Sequence, residues 1–180
     1  MDVRPPDPVQ SPADYQRFLL GLLGDDDPAR VQAETPAAVR TLIAEAGDRL
    51  RTRPSPSEWS VAECIGHIVD GELVSSARYR WILAHDEPPL LPYDQDLWVE
   101  RLRHNEEDAD VLLALFEGLR RANLALWERT SAAERARVGL HAERGRESYE
   151  LTFRLMAGHD RNHLAQARRA LESPRAKVVR

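Results

Sequence analysis

The chain has 180 residues, of which 42% are hydrophobic and 31% charged, and its formal net charge is -5. That balance fits one folded domain with a real core and excludes a disordered chain. The acidic excess argues against nucleic acid as a partner, and no apolar run approaches the ~20 residues that span a bilayer, so no membrane partner is expected. Cys64 is the single cysteine, which excludes an intrachain disulfide and a cysteine-based zinc knuckle. Lys177 is the single lysine, and the arginines are scattered among acids rather than gathered into a basic stripe. The segment from Met1 to Pro8 lacks the apolar stretch of a signal peptide, so a cytoplasmic location is expected.

Taken in chain order, the sequence predicts helices throughout and no strand. A weak helix runs from Pro12 to Leu23, with Ser11 as N-cap and proline at the first helical position. Asp27-Pro28 and Thr35-Pro36 carry the same device. The first long helix is expected from Thr35 to Leu50, with Val39, Leu42, Ile43 and Ala46 on one face. The second runs from Ser60 to Ala84. Ser60-Val-Ala-Glu63 fits a capping box, and Trp59 and Cys64 stand where a hydrophobic staple would lie. A proline-rich connector follows from His85, with a short helix over Asp94 to Arg103. The third long helix is expected from Asn105 to Arg129. Ser131 to Glu134 has capping-box form, and the fourth long helix spans Ser148 to Leu171, with Pro174 ending it. The predicted fold is all-α: a four-helix bundle with a long connection between its second and third helices and a short N-terminal helical extension. The expected division is one domain, with residues 1–34 as extension, 35–171 as core and 172–180 as tail.

The chemistry sits in the histidines. His159-Asp-Arg-Asn-His163 places two imidazoles one turn apart on one helical face, and that face continues Thr152, Leu155 and Met156 toward the core. The spacing matches H-E-x-x-H metal sites, but the glutamate is missing, which argues against a metalloprotease. His67, flanked by Ile65 and Ile68, is the candidate third ligand. Each also has a bland reading, a histidine satisfied by ordinary hydrogen bonds. His85, His104 and His141 read as surface residues at helix ends or in a loop. Partners for the outer ring nitrogens are sought in Asp70, Glu72, Asp160 and Gln166, which read equally well as solvated helix surface. Trp59, Trp81 and Trp127 are expected in the core or as staples, and Trp98 at a pocket mouth. Arg161, Arg168 and Arg169 are candidates for binding a carboxylate or for covering a helix end.

Trp59-Ser-Val-Ala-Glu-Cys-Ile-Gly-His67-Ile-Val-Asp-Gly-Glu72 and His159-Asp-Arg-Asn-His163-Leu-Ala-Gln166 resemble the second-helix and closing motifs of the DinB-like (damage-inducible) metal-binding four-helix bundles. The loop His141-Ala-Glu-Arg-Gly145 fits the same pattern, and the resemblance covers Thr35 to Leu171. It implies that His67, His159 and His163 bind one divalent metal ion, nickel or zinc first among the candidates. Three imidazoles leave an open coordination position, the arrangement of catalytic rather than structural sites. The expected function is a metal-dependent enzyme acting on a small-molecule substrate. It would be either a transferase using a low-molecular-weight thiol, as the resemblance favours, or a related hydrolase. The alternatives are a non-catalytic metal-binding or stress-response protein, and a bundle whose histidines are merely structural. A homodimer is compatible with the chain, although no apolar stripe is visibly left over for an interface.

Overall fold

A computed structural model of the chain describes residues 5–173. Helix α1 spans Pro12–Leu23, α2 Pro28–Ala46, α3 Val61–Ala84, α4 Gln95–Arg101, α5 Ala109–Glu128, α6 Ala132–Arg135 and α7 Tyr149–Glu172. Single 3-10 turns follow α2 and precede α5. The predicted stop at Pro174 lies outside the described residues.

The four long helices α2, α3, α5 and α7 form the bundle. Both α2 and α3 pack against α5 and α7, so α2 lies diagonally across from α3, and α5 from α7. The short α1 lies along α7. At their crossing Gly158 is obligatory: a Cβ there would sit 2.1 Å from the Leu19 carbonyl oxygen. The core has two main parts. One gathers Leu42, Ile65, Ile68 and Phe116; the other stacks Trp127 on Phe153, with centroids 4.0 Å apart, beside Tyr79 and Tyr149. No helix among the described residues is long and apolar enough to cross a membrane.

Several boundaries differ from the sequence reading, each for a physical reason. Helix α2 starts at Pro28, capped by the Asp27 side chain accepting from the Ala29 N–H, and Pro36 lies inside it. Proline in a helix interior leaves the carbonyl four residues earlier without its N–H. Here that carbonyl is Gln32's, and it accepts from Arg120 Nη1 at 2.9 Å. Helix α5 begins at Ala109 rather than near Asn105, because Asp108 caps it. Ser11 makes no side-chain cap for α1, whereas the capping boxes at Ser60 and Ser131 both form. Trp81 is exposed rather than in the core, as are Leu73, Val111 and Leu115, although apolar residues at helical spacing along α3 and α5 would be expected to turn inward.

The expectation of no strands was wrong. A three-stranded sheet joins β1 (Pro89–Leu90), β2 (Val138–His141) and β3 (Gly145–Ser148). Strands β1 and β2 pair in parallel, with Leu90 opposite His141; β2 and β3 pair antiparallel, with His141 opposite Gly145. Strands this short carry almost no alternation to read. Their hairpin closes on Gly145 at φ +74, without the Asn-Gly or Asp-Gly signal. The sheet pins the α3–α4 connector against the segment before α7, so that both reach the mouth of the bundle.

Candidate metal centre

Helix α3 supplies His67, and α7 supplies His159 and His163. One nitrogen from each of the three rings lies within 4.8 Å of the others, and all three residues are buried. Gly71 leaves room for His159: a Cβ there would lie 3.0 Å from its Cε1, close enough that the ring would have to give by a few tenths of an ångström. Trp59, just before α3, walls the site; its ring lies 5.1 Å from that of His67 and stacks on His163 with centroids 6.0 Å apart.

The electrostatics favour neutral imidazoles. Burial pushes His67 and His163 well below the ordinary histidine value, with neighbouring histidines adding to the effect. His159 is lowered to about 3 by burial, with Arg120 and Arg144 contributing. The Nε2 atoms of His67 and His159 are 2.9 Å apart, so two neutral rings must share a single proton between them. The Nδ1 atoms of both are buried without a hydrogen-bond partner among the described residues. His163 donates from Nδ1 to Gln166 Oε1 at 2.8 Å, which makes its Nε2 an acceptor; the Asn162 amide nitrogen lies 3.4 Å from that Nε2. Converging neutral imidazole nitrogens are the donor set a divalent cation fits, taking the place of the shared proton.

The other proposed partners of the histidines do not reach them. Asp70 instead accepts from His104 Nε2 at 2.8 Å. Glu72 and Asp160 both bind Arg120, at 2.8 and 2.6 Å, in a buried network with Asn123 and Thr35. The sequence reading passed over Arg120. Its signal was available: Leu113, Phe116, Arg120, Asn123 and Trp127 share one helical face, and an arginine interrupting such a stripe is buried with partners.

His104 and His141 were expected at the surface, and both are buried. His104 packs where Gly66 has no Cβ; one would lie 2.5 Å from its ring. Burial pushes His104 down, but Asp70 and Glu107 more than offset this and raise it above the usual value. His141 ends β2 pointing inward, and its Nδ1 accepts from the backbone N–H of Glu143 and Arg144. His85 is exposed, as expected. Cys64 is fully buried and burial pushes its thiol up, which suits a packing role. Arg161 donates to the Leu22 carbonyl and Asp26, tying α7 to the end of α1. Trp98 packs on Tyr93.

A cavity of about 310 Å³ opens over His67 and His159. Tyr15 and Leu19 of α1, Tyr93 of the connector and Arg144 of the hairpin turn enclose it. A second cavity, adjoining the first along Tyr15 and Gln95, reaches His163 past Trp59 and Gln166.

Residues 29–167 match the sequence profile of the DinB superfamily, and the chain belongs to that family. A protein of Geobacillus thermodenitrificans named "putative metal-dependent hydrolase" is 28% identical over 136 residues, covering 74% of this chain and 76% of its own. A relative of the same name in Oceanobacillus iheyensis is 26% identical over 125 residues, covering 69% and 72%. Among solved structures, YfiT from Bacillus subtilis superposes with a TM-score of 0.75 at 24% identity, over 81% of this chain and 84% of its own. It is described as a "probable metal-dependent hydrolase with an unusual four-helix bundle topology". The likeness establishes the shared four-helix fold.

Proposed function

We propose that this protein is a metal-dependent hydrolase in which His67, His159 and His163 hold one divalent ion, zinc or nickel. The observation that carries this reading is the convergence of three buried, neutral imidazoles at one end of a cavity large enough for a small molecule. A divalent ion held by three imidazoles with an open position supplies Lewis acidity and lowers the pKa of a coordinated water or thiol. Around it, the protein's own contributions are distinct. Gln166 fixes the His163 ring so that Nε2 faces inward. Trp59 and Tyr93 shield the imidazoles from bulk water. The relatives named as hydrolases favour hydrolysis of a small substrate.

A second reading, transfer of a low-molecular-weight thiol to an electrophile, draws support from the two cavities. One reaches His67 and His159 and the other His163, and they adjoin along Asp7, Tyr15 and Gln95, which gives two small molecules room beside one ion. One experiment separates the readings. The purified protein, loaded with zinc or nickel, is tested against a panel of esters, amides and lactones, and in parallel with monochlorobimane plus small bacterial thiols. Hydrolysis that disappears on chelation and in His163→Ala supports the first reading; thiol-dependent bimane conjugation supports the second. Failure to bind any divalent ion at neutral pH would overturn both.

A further inference from the structure

The cavity has a second chemical end. Along α3, residues 67, 71, 75 and 78 recur at helical spacing, so His67, Gly71, Ser75 and Arg78 form one stripe, and all four line the cavity. Eleven residues separate its ends, about 16 Å along the axis at 1.5 Å per residue. Arg78 stands at the far end, only 6% exposed. A buried guanidinium is normally paired with a carboxylate, because the unpaired charge is expensive. Among the described residues none pairs with Arg78. Its Nη2 donates to the Leu91 carbonyl at 2.5 Å, and its Nε is buried without a partner. The nearby carboxylate is spoken for: Glu147, fully buried, accepts both arms of Arg144, at 2.6 and 2.9 Å, and the Gln16 amide.

His141 makes the deficit specific. Because its Nδ1 accepts from two backbone N–H groups, its proton is on Nε2. That Nε2 lies 3.3 Å from Arg78 Nη2, so two donors face each other with no acceptor between them. Burial keeps His141 neutral, with Arg144 and Arg78 adding to the effect. The acids of the cavity, Asp7, Asp94, Asp96 and Glu143, are all on the exposed rim. Two of them already accept backbone N–H groups: Asp7 those of Val9 and Gln10, Asp94 that of Leu97.

We infer that Arg78 and His141 form an oxyanion-binding subsite, and that the small molecule acted on at the histidines carries a carboxylate or phosphate at its far end. A carboxylate or phosphate oxygen placed between Arg78 and His141 accepts from both, and a second oxygen reaches the unpartnered Nε. As a statement about substrate this rests on the metal-enzyme reading; the anion site itself does not.

Isothermal titration of the full-length protein, metal-free and zinc-loaded, tests it with three probes: succinate, inorganic phosphate and neutral succinamide. Saturable binding of succinate or phosphate, and none of succinamide, is expected in both metal states. Which anion binds distinguishes the two sources of the oxyanion. Arg78→Gln should weaken binding about tenfold to a hundredfold, as loss of a charge-assisted bond implies, with zinc stoichiometry unchanged. Arg78→Lys should recover part of it. A purely structural tie to Leu91 predicts altered stability and no anion dependence. Should Arg78→Gln fail to fold, the Arg78 Nε–H resonance of the wild-type protein gives the same answer: it should move with the anions and not with succinamide. Absence of saturable anion binding, equal binding of succinamide, an unmoved Nε–H resonance, or undiminished binding by a folded Arg78→Gln would overturn the inference. Anion binding alongside a silent hydrolase and thiol panel would sink the functional reading and leave the subsite standing.

Discussion

His159 and Asp160 are neighbours in sequence, yet they belong to two buried polar clusters of opposite character. Asp160 joins Glu72, Arg120, Asn123 and Thr35, a network in which the carboxylates, the guanidinium arms and even the carbonyl freed by Pro36 find partners inside the chain. Burial would push Arg120 down, but Asp160 and Glu72 more than reverse it and hold the guanidinium charged. His159 joins His67 and His163, where the inner nitrogens face one another and two outer ones have no partner. One cluster finds nearly all of its partners within the protein, buried Arg120 Nε being the exception, and ties four helices, α2, α3, α5 and α7, together. The other leaves its inner nitrogens crowded together, the deficit that the proposed cation would answer. Sequence adjacency to a ligand therefore says little about which residues support it, since a one-residue step turns about 100° around a helix.

The comparison breaks first at Arg120. Replacing it with methionine leaves Glu72 and Asp160 buried and uncompensated, at a cost of about 3–5 kcal/mol in urea unfolding. Metal-free His67→Leu should lose far less, because it removes a ring whose Nδ1 is already unsatisfied. Comparable losses for the two variants would erase the distinction.

Gln166 accepts from the Nδ1 of a triad member, His163, and so orients its ring. Gln166→Ala should weaken metal affinity by about 10- to 100-fold, read by competition with a chelator, while unfolding of the metal-free protein changes little. Unchanged affinity would mean that His163 needs no such support.

The smallest effect is in the pH dependence of metal-free stability. His159 is lowered to about 3 in the fold, against 6.5 for an ordinary histidine. The unfolded chain therefore binds the extra proton. The contribution is complete above about 6.5 and is lost as pH falls toward 3, at about 1.4 kcal/mol per pH unit. His159→Gln should flatten the slope between pH ~4 and ~6 by that amount. His104, which is raised, runs the other way: its contribution is present below the ordinary value and fades as pH rises through the folded one. An unchanged slope in His159→Gln would show that the ring is not held neutral.

Much of this was legible beforehand. Helices α1, α3 and α7 lie within a residue or so of their expected bounds, because caps and apolar spacing are local signals. The three histidines were identifiable as a set, since their spacing and apolar neighbours point inward. The second cluster was not, because Asp70, Glu72 and Asp160 look alike in sequence, and only the depth of α5 decides that the latter two meet Arg120. His104 and His141 were misplaced for a related reason. Their burial is created by a 3-10 turn, a hairpin and the missing Cβ at Gly66, which are contacts between distant segments.

Pro36 carries a further consequence. In any other helix it would only weaken the ladder. Here it leaves an acceptor on α2 that is satisfied only when α5 presents Arg120 at the correct height and rotation. Sliding α5 by one turn, about 5.4 Å, would strand the Gln32 carbonyl together with both carboxylates. Apolar side chains alone would tolerate several such offsets. The proline thus serves as a register mark, written into one helix and read by another, that selects one docking of the bundle from its near-equivalents.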